Sequence, residues 1–396
     1  MPEYLSPGVY VEEIEIGAKP IEGVSTSTVG FVGMTEHVVD GSFDNDSLLD
    51  KPTLVTSWGQ FVKSFGRYNA TNSPFLPPAV YGFFANGGSR CYVVRVKDGV
   101  QDGDYVGTDG GPGNRTGLQA FNEVDEINIV CIPGITSQTV QTAMISHCEN
   151  MKDRFCVLDP VKDADMDAIQ DQKDEVVSDK GYAALYYPWI KVPIETIEDN
   201  KLKLVQDFIP PSGYIAGIYA RSDIERGVHK APANEIIRGA LEIKLAITKG
   251  EQDILNPLGI NCIRSFPGRG IRVWGARTLS SDTLWKYVNV RRLFIYLEES
   301  IEEGTQWVVF EPNNEKLWGR VKATITEFLT RVWRDGALMG TKPEEAFFVK
   351  CDRTTMTQDD IDNGRLICII GIAPVKPAEF VIFRIAQFPG GSEVTE

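Results

Sequence analysis

The chain has 396 residues, 42% of them hydrophobic and 24% charged, which excludes intrinsic disorder and collagen-like repeats and gives a prior of two to three domains. Its formal charge of −15 argues against a general nucleic-acid binder or a protein drawn to anionic membranes. The opening MPEYLSPGVYVEEIE carries acids where a secretory leader has a basic start and an apolar run, so a cytosolic protein is expected.

In chain order, Val9–Ile16 form a β-branched strand isolated between Ser6-Pro7-Gly8 and Gly17–Pro20. A lone strand must find backbone partners in a sheet of its own body or of a neighbour, and the residues leave that choice open. VSTSTVGFVGM (24–34) and CYVVRV (91–96) read as buried strands. Short helices are expected over 57–66, with Trp58, Phe61, Val62 and Phe65 on the apolar side, and over 78–86, ended by Gly87-Gly88. The polar, glycine-rich stretch 97–117 reads as a linker.

From residue 126 continuous apolar strands alternate with helices: strands at 127–133, 154–160 and 182–190, helices at 137–150, 163–178 and 210–223, and a short element at 234–243. That alternation predicts a parallel sheet covered on both faces. Next come two strands about a Pro-Gly turn (260–280) and two amphipathic helices (282–302 and 314–334). The strands 365–374 and 378–388 are joined through Pro374–Pro377. In the second helix Trp318, Val321, Ile325, Phe328, Leu329, Val332 and Trp333 share one face; Lys316, Arg320, Glu327, Arg331 and Arg334 share the opposite one. In the last strand Phe380, Ile382 and Arg384 alternate with Val381, Phe383 and Ile385, so both faces ask for burial.

No residue set for chemistry emerges. GGPGNRTG (110–117) follows no strand and opens no helix, and there is no Gly-Lys pair. His37, His147 and His229 are isolated and read as solvated or capping. Cys148 beside His147 is a poor dyad, and Asp163-Asp165-Asp167 and Asp359-Asp360-Asp362 miss calcium-loop spacing and read as solvated helix starts. The seven cysteines, among them Cys91, Cys131, Cys156 and Cys368 in apolar runs, read as reduced core thiols. No catalytic, cofactor or metal residues are therefore expected.

Several long strings nevertheless resemble one family. YLSPGVYVEEI, WGQFVKSFGRY and LPPAVYGFFANGGSRCYVVRV near the N-terminus are similar to contractile tail sheath proteins. So are INCIRSFPGRGIRVWGARTLSSDTLWKYVNVRRLFIYLEESI, QWVVFEPNNEKLW and IGIAPVKPAEFVIFRI in the last third. The family spans phage tails, R-type pyocins and extracellular contractile injection systems. The resemblance implies a structural, non-enzymatic subunit. It would polymerise helically around a rigid inner tube and contract to drive that tube through a target envelope. Implied partners are other copies of the chain, the tube protein, and baseplate and terminator or cap proteins; nucleic acid and membrane insertion are not implied. Assembly is expected in the bacterial cytoplasm, within a virion or a released particle.

The expected fold is mixed α/β and α+β. A central parallel-sheet domain of subtilisin-like layout (118–259) would sit within an α+β core made of 21–97 and 260–377, with an N-terminal arm (1–20) and a C-terminal strand and tail (378–396). The family's central domain is described as subtilisin-like, yet no Ser/His/Asp set is present to carry protease chemistry with it. Subunit-linking residues would be Val9, Tyr10, Val11, Ile14, Phe380, Val381, Ile382, Phe383 and Ile385. The 366–373 strand is the other candidate for donation. The tube contact would be Lys316, Arg320, Arg331 and Arg334. The competing expectation is a cytosolic α/β enzyme or nucleotide-binding protein with a C-terminal oligomerisation domain.

Overall fold

A computed structural model describes residues 20–36, 39–40, 43–71, 73–97, 101–198 and 201–384. Its centre is a nine-stranded sheet. Six strands are parallel: β1 (Val29–Met34), β3 (Cys91–Val96), β4 (Ile129–Cys131), β5 (Phe155–Leu158), β6 (Ala183–Tyr187) and β11 (Ile260–Phe266). Antiparallel strands finish both edges: β2 (Thr53–Val55) beside β3, and β12 (Gly270–Val273) with the two-residue β9 (Glu235–Ile236) beside β11. The order is β9-β12-β11-β6-β5-β4-β1-β3-β2. The parallel strands are almost wholly buried, as continuous apolar runs covered on both faces should be.

Helices α1 (Trp58–Phe65), α2 (Leu76–Ala85), α3 (Gln138–Met151), α4 (Met166–Glu175) and α5 (Ser212–Arg226) connect these strands. Local chemistry sets their starts: Ser57 and Ser137 cap α1 and α3, and Asp165 accepts from Asp167 N and Ala168 N at the head of α4. Gly213 and Gly217 lie one turn apart on α5, where a side chain would strike the α2 backbone at Ala79 and Phe83, so these helices touch backbone to backbone.

A mixed α/β fold with a central parallel sheet is therefore what the alternation pattern specified. The segments divide differently from expectation. β1 and β3, from 21–97, and β11 and β12, from 260–377, lie in the same sheet as β4–β6, so one hydrophobic core spans all of them. Of the stretch 97–117, residues 101–117 are also part of that body: they hold a helical turn at Asp102–Val106, bury Tyr105, and Gly117 N donates to Asp50 Oδ1 (2.8 Å). Parallel pairing carries no local signal, which is why the linker-like composition misled.

A second core is built from α6 (Val288–Gly304), α7 (Glu315–Arg334) and the hairpin β13 (Phe347–Lys350) and β14 (Ile369–Ile372), with Ile21 packed into it. A further hairpin, β7 (Ile190–Glu198) and β8 (Lys201–Ile209), extends from β6, and β10 (Glu242–Ile243) pairs with β7. This hairpin was not expected beyond the strand at 182–190, although Ile190, Val192 and Ile194 share one face and alternate with Lys191, Pro193 and Glu195. The element expected at 234–243 is the pair β9 and β10.

Candidate functional site

The first and the last described segments of the chain are both anchored to the body. At the C-terminal root Glu379 is half-buried. Arg277 donates to both of its oxygens (2.8 and 2.7 Å), and Asn256 Nδ2 (2.8 Å) and Tyr287 OH (3.0 Å) complete the grip. Burial works to raise this carboxyl, but the Arg277 guanidinium and the Asn256 and Tyr287 donors outweigh it and hold it below the usual carboxylate range. A depressed carboxyl stabilises above its unfolded pKa and loses that contribution as pH falls through the folded value. Hydrogen-exchange protection at Val375, Lys376, Ala378 and Glu379, taken relative to the intrinsic rate at each pH, should thus be high at neutral pH and fall selectively in acid.

Immediately beyond this clamp Phe380, Val381, Ile382 and Phe383 are 71, 68, 77 and 83% exposed and belong to no strand. The strand expected over 378–388 is therefore absent from residues 378–384, because a strand needs a partner ladder and the described residues supply none there. Phe380 and Val381 help line an open groove of about 890 Å³ with Phe266, Trp274 and Lys249. Ile385 and the N-terminal candidates Val9, Tyr10, Val11 and Ile14 lie outside the described residues.

The N-terminal root is Ile21, fully buried against Gly304, its carbonyl taken by Arg331 Nη2 (2.5 Å). Val24 N donates to Ser300 Oγ (3.1 Å), so residues 21–24 run along α6. Both roots were missed from sequence: Arg277 and Glu379 are 102 positions apart, Ile21 and Arg331 are 310.

The β13–β14 hairpin is a two-stranded sheet, and among the described residues neither outer edge meets another strand. β13 alternates buried Phe347 and Val349 with exposed Phe348 and Lys350, and Ile369 on β14 is 46% exposed. This hairpin accounts for the 366–373 candidate: it is paired within its own body rather than free. Two strands alone are marginal in water, and an open edge is a template for another strand.

On α7 the expected faces separate: Trp318, Val321, Ile325, Phe328, Leu329 and Val332 are buried and Trp333 half-buried, joined by Leu317, whereas Lys316, Arg320, Glu327, Arg331 and Arg334 are exposed. The structure divides the basic set by task. Arg331 also ties down the N-terminal root, and Arg320 stacks on Trp307 (4.5 Å) and pairs with Glu311 (4.0 Å). Lys316 and Arg334 have no ion-pair partner among the described residues. Next to Glu311 in the chain, Phe310 is fully exposed with φ +67°, a conformation costly for an aromatic residue, and Val309 before it is 59% exposed. Sequence reasoning did not single out this projecting pair.

The groups screened for chemistry are held structurally. Asp159, fully buried, accepts from Ser212 Oγ (2.6 Å), Ser212 N (2.8 Å) and Gly134 N (3.0 Å), joining the ends of β4 and β5 to the start of α5. His147 is not solvated as expected: it is 5% exposed against Arg154, and burial, then that guanidinium, push it down to about 3. All seven cysteines are free thiols, six of them buried. Among the described residues no His/Cys/Asp/Glu group is arranged to hold a metal ion, and no helix is long and apolar enough to cross a membrane.

Comparison with known proteins gives a consistent result. Residues 102–279 match the family described as the phage tail sheath protein central domain, and 280–388 match the phage tail sheath C-terminal domain. The tail sheath protein of Escherichia phage P2 is 23% identical over 333 residues, covering 77% of each chain. The fold is similar to the sheath of an extracellular contractile injection system, the PVC sheath complex in its contracted state. That match has TM-score 0.78 and 32% identity, over 98% of this chain and 99% of that one. The helical sheath of the anti-feeding prophage, also contracted, gives TM-score 0.75 and 34% identity over 96% and 99%.

Proposed function

The chain belongs to the contractile tail sheath family, and from that premise we propose how its arms, hairpin and basic helix serve assembly. It is a structural subunit of a contractile sheath, and this membership displaces the α/β-enzyme alternative. Its role is mechanical rather than catalytic. The observation that carries the reading is the run Phe380–Phe383, four consecutive large apolar residues exposed at the surface, issuing from a carboxylate clamp in a chain that also holds a hairpin whose two outer edges meet no strand among the described residues.

Residues 380–385 of one subunit, and Val9–Ile16 of another, add as strands to the β13–β14 edges of neighbours. Backbone hydrogen bonds then give affinity and alternating side chains give register. Four ladder bonds at about 1 kcal/mol each and four apolar side chains at about 1.5 kcal/mol or more each make a link comparable with the stability of a domain, so subunits stay joined while their bodies rotate. Such head-to-tail donation does not close on itself, which yields a helical array.

The basic face of α7 meets an acidic inner tube, with Val309 and Phe310 as an apolar contact beside it. Long-range attraction sets register there yet releases on contraction. Ends of the sheath would meet baseplate and cap proteins, and driving the tube through an envelope is the work of the assembled particle.

Lys316→Glu with Arg320→Glu tests the tube face without touching the Arg331–Ile21 tie. The double variant should melt like the parent and still self-associate, yet no longer polymerise along tube in the extended state. Normal extended particles from it would remove α7 from the tube interface.

A further inference from the structure

We propose that Cys351 and Cys368 form a cross-strand disulfide that staples the β13–β14 hairpin once the protein meets an oxidising medium. The register of the hairpin pairs Phe347 with Ile372 and Lys350 with Ile369; one step further along the same antiparallel register sets Cys351 opposite Cys368. Directly opposed residues in an antiparallel pair have Cα atoms about 4.5–5.5 Å apart, inside the span that a disulfide bridges. Beyond burial, Cys351 itself pushes the Cys368 thiol up, as a close neighbour does. The intervening loop is closed independently. Thr354 N donates to Asp352 Oδ1 (2.8 Å) and Thr355 Oγ1 donates to the Ile367 carbonyl (2.8 Å), which ties the loop to the strand beside Cys368.

Access separates this pair from the other thiols. Cys148 and Cys156 are also neighbours, but both are fully buried between α3 and the central sheet, with Cys131 close by and the Cys156 thiol donating to the Tyr182 carbonyl (3.4 Å). Cys351 is 4% exposed, whereas Cys368 is half-buried and reachable. Burial pushes the Cys368 thiol up to about 12 and raises Cys351 as well, so the pair stays reduced at neutral pH in a reducing compartment and reacts slowly, faster as pH rises.

With oxidised glutathione as oxidant, the Cys368 thiolate attacks one glutathione sulfur and expels a glutathione thiolate. The Cys351 thiolate then attacks the Cys368 sulfur of the mixed disulfide and expels the second. The two protein thiols lose two electrons and two protons, and one glutathione disulfide becomes two glutathione thiols. The staple closes the loop that joins β13 to β14, and the hairpin is the sheet to which the arms were assigned above. The chemistry is scored on the isolated full-length chain as well as on sheath, so its failure and the failure of strand donation read out separately.

The native chain would be incubated with oxidised glutathione at pH 8, its remaining thiols alkylated after unfolding, and digested without reductant. The expected result is one joined peptide pair containing Cys351 and Cys368, lighter than the sum of its reduced halves by two hydrogens. Cys91, Cys131, Cys148, Cys156 and Cys262 should be alkylated in full. Cys351→Ser should convert the product to a glutathione adduct on Cys368. On assembled sheath the same treatment should shift subunit release to higher urea, and reductant should reverse the shift. A stable glutathione adduct on Cys368 in the unsubstituted chain, or no reaction at either cysteine while the chain stays folded, would overturn the proposal.

Discussion

A chain ending at Glu379 is expected to fold with the stability of the parent, remain monomeric and form no sheath. Retaining Glu379 matters. Arg277 is only 8% exposed at its side chain, and a cut before residue 379 would strip its carboxylate partner and leave a nearly buried cation unpaired. With the clamp intact, the deletion removes only residues beyond the anchor, and the described ones, 380–384, are exposed and contribute nothing to either core. Sedimentation and negative-stain microscopy read assembly, while thermal denaturation reads folding. Tubes of normal length from the truncated chain would exclude the C-terminal arm as a link. A chain that failed to fold would show instead that 380–396 belong to its own core. The same logic applies to deletion of residues 1–17, which leaves the Ile21 root and its Arg331 tie in place.

The largest stability effect is expected at Asp223. Its carboxylate takes two hydrogen bonds from Arg292 (2.9 and 2.6 Å) and one from Thr26 Oγ1 (2.7 Å), while Arg292 also donates to the Thr26 carbonyl (2.7 Å). The side chains are 5 and 4% exposed, and Arg292 lies over the Tyr219 ring (4.7 Å). This pair fastens α6 to α5 and to the segment before β1, joining the two cores at one point. Asp223→Ala leaves an unpaired guanidinium in a dry site and should cost about 3–5 kcal/mol. Asp223→Leu with Arg292→Met replaces both charges by apolar groups and should recover most of that loss, because well-packed hydrophobes offset a buried pair. Denaturant titration of the full chain provides the measurement. A cost under about 1 kcal/mol for Asp223→Ala would mean that water reaches the arginine and that the cores are held elsewhere.

These two sites differ in what a sequence can show. Strand–helix alternation, the Trp318–Val332 face of α7 and the apolar setting of the cysteines are periodic or compositional signals. They follow from side-chain spacing along a single element, and the structure bears them out. The excess of apolar residues at 380–383 was legible in the same way, since a segment apolar on both faces asks for cover on both sides.

What required the tertiary structure was every relation between distant segments. Membership of β1 and β3 in the same sheet as β4–β6, the Glu379 clamp on Arg277, the capture of the Ile21 carbonyl by Arg331 and the opposition of Cys351 to Cys368 all depend on which elements become neighbours. Backbone ladders and charge pairs form between any complementary groups that packing brings together, and neither leaves a trace in local spacing. The sequence thus determined the elements and their buried faces. The fold decided which cations of the α7 stripe are already engaged and where each arm is anchored, because those are settled by through-space partners and not by position along the chain.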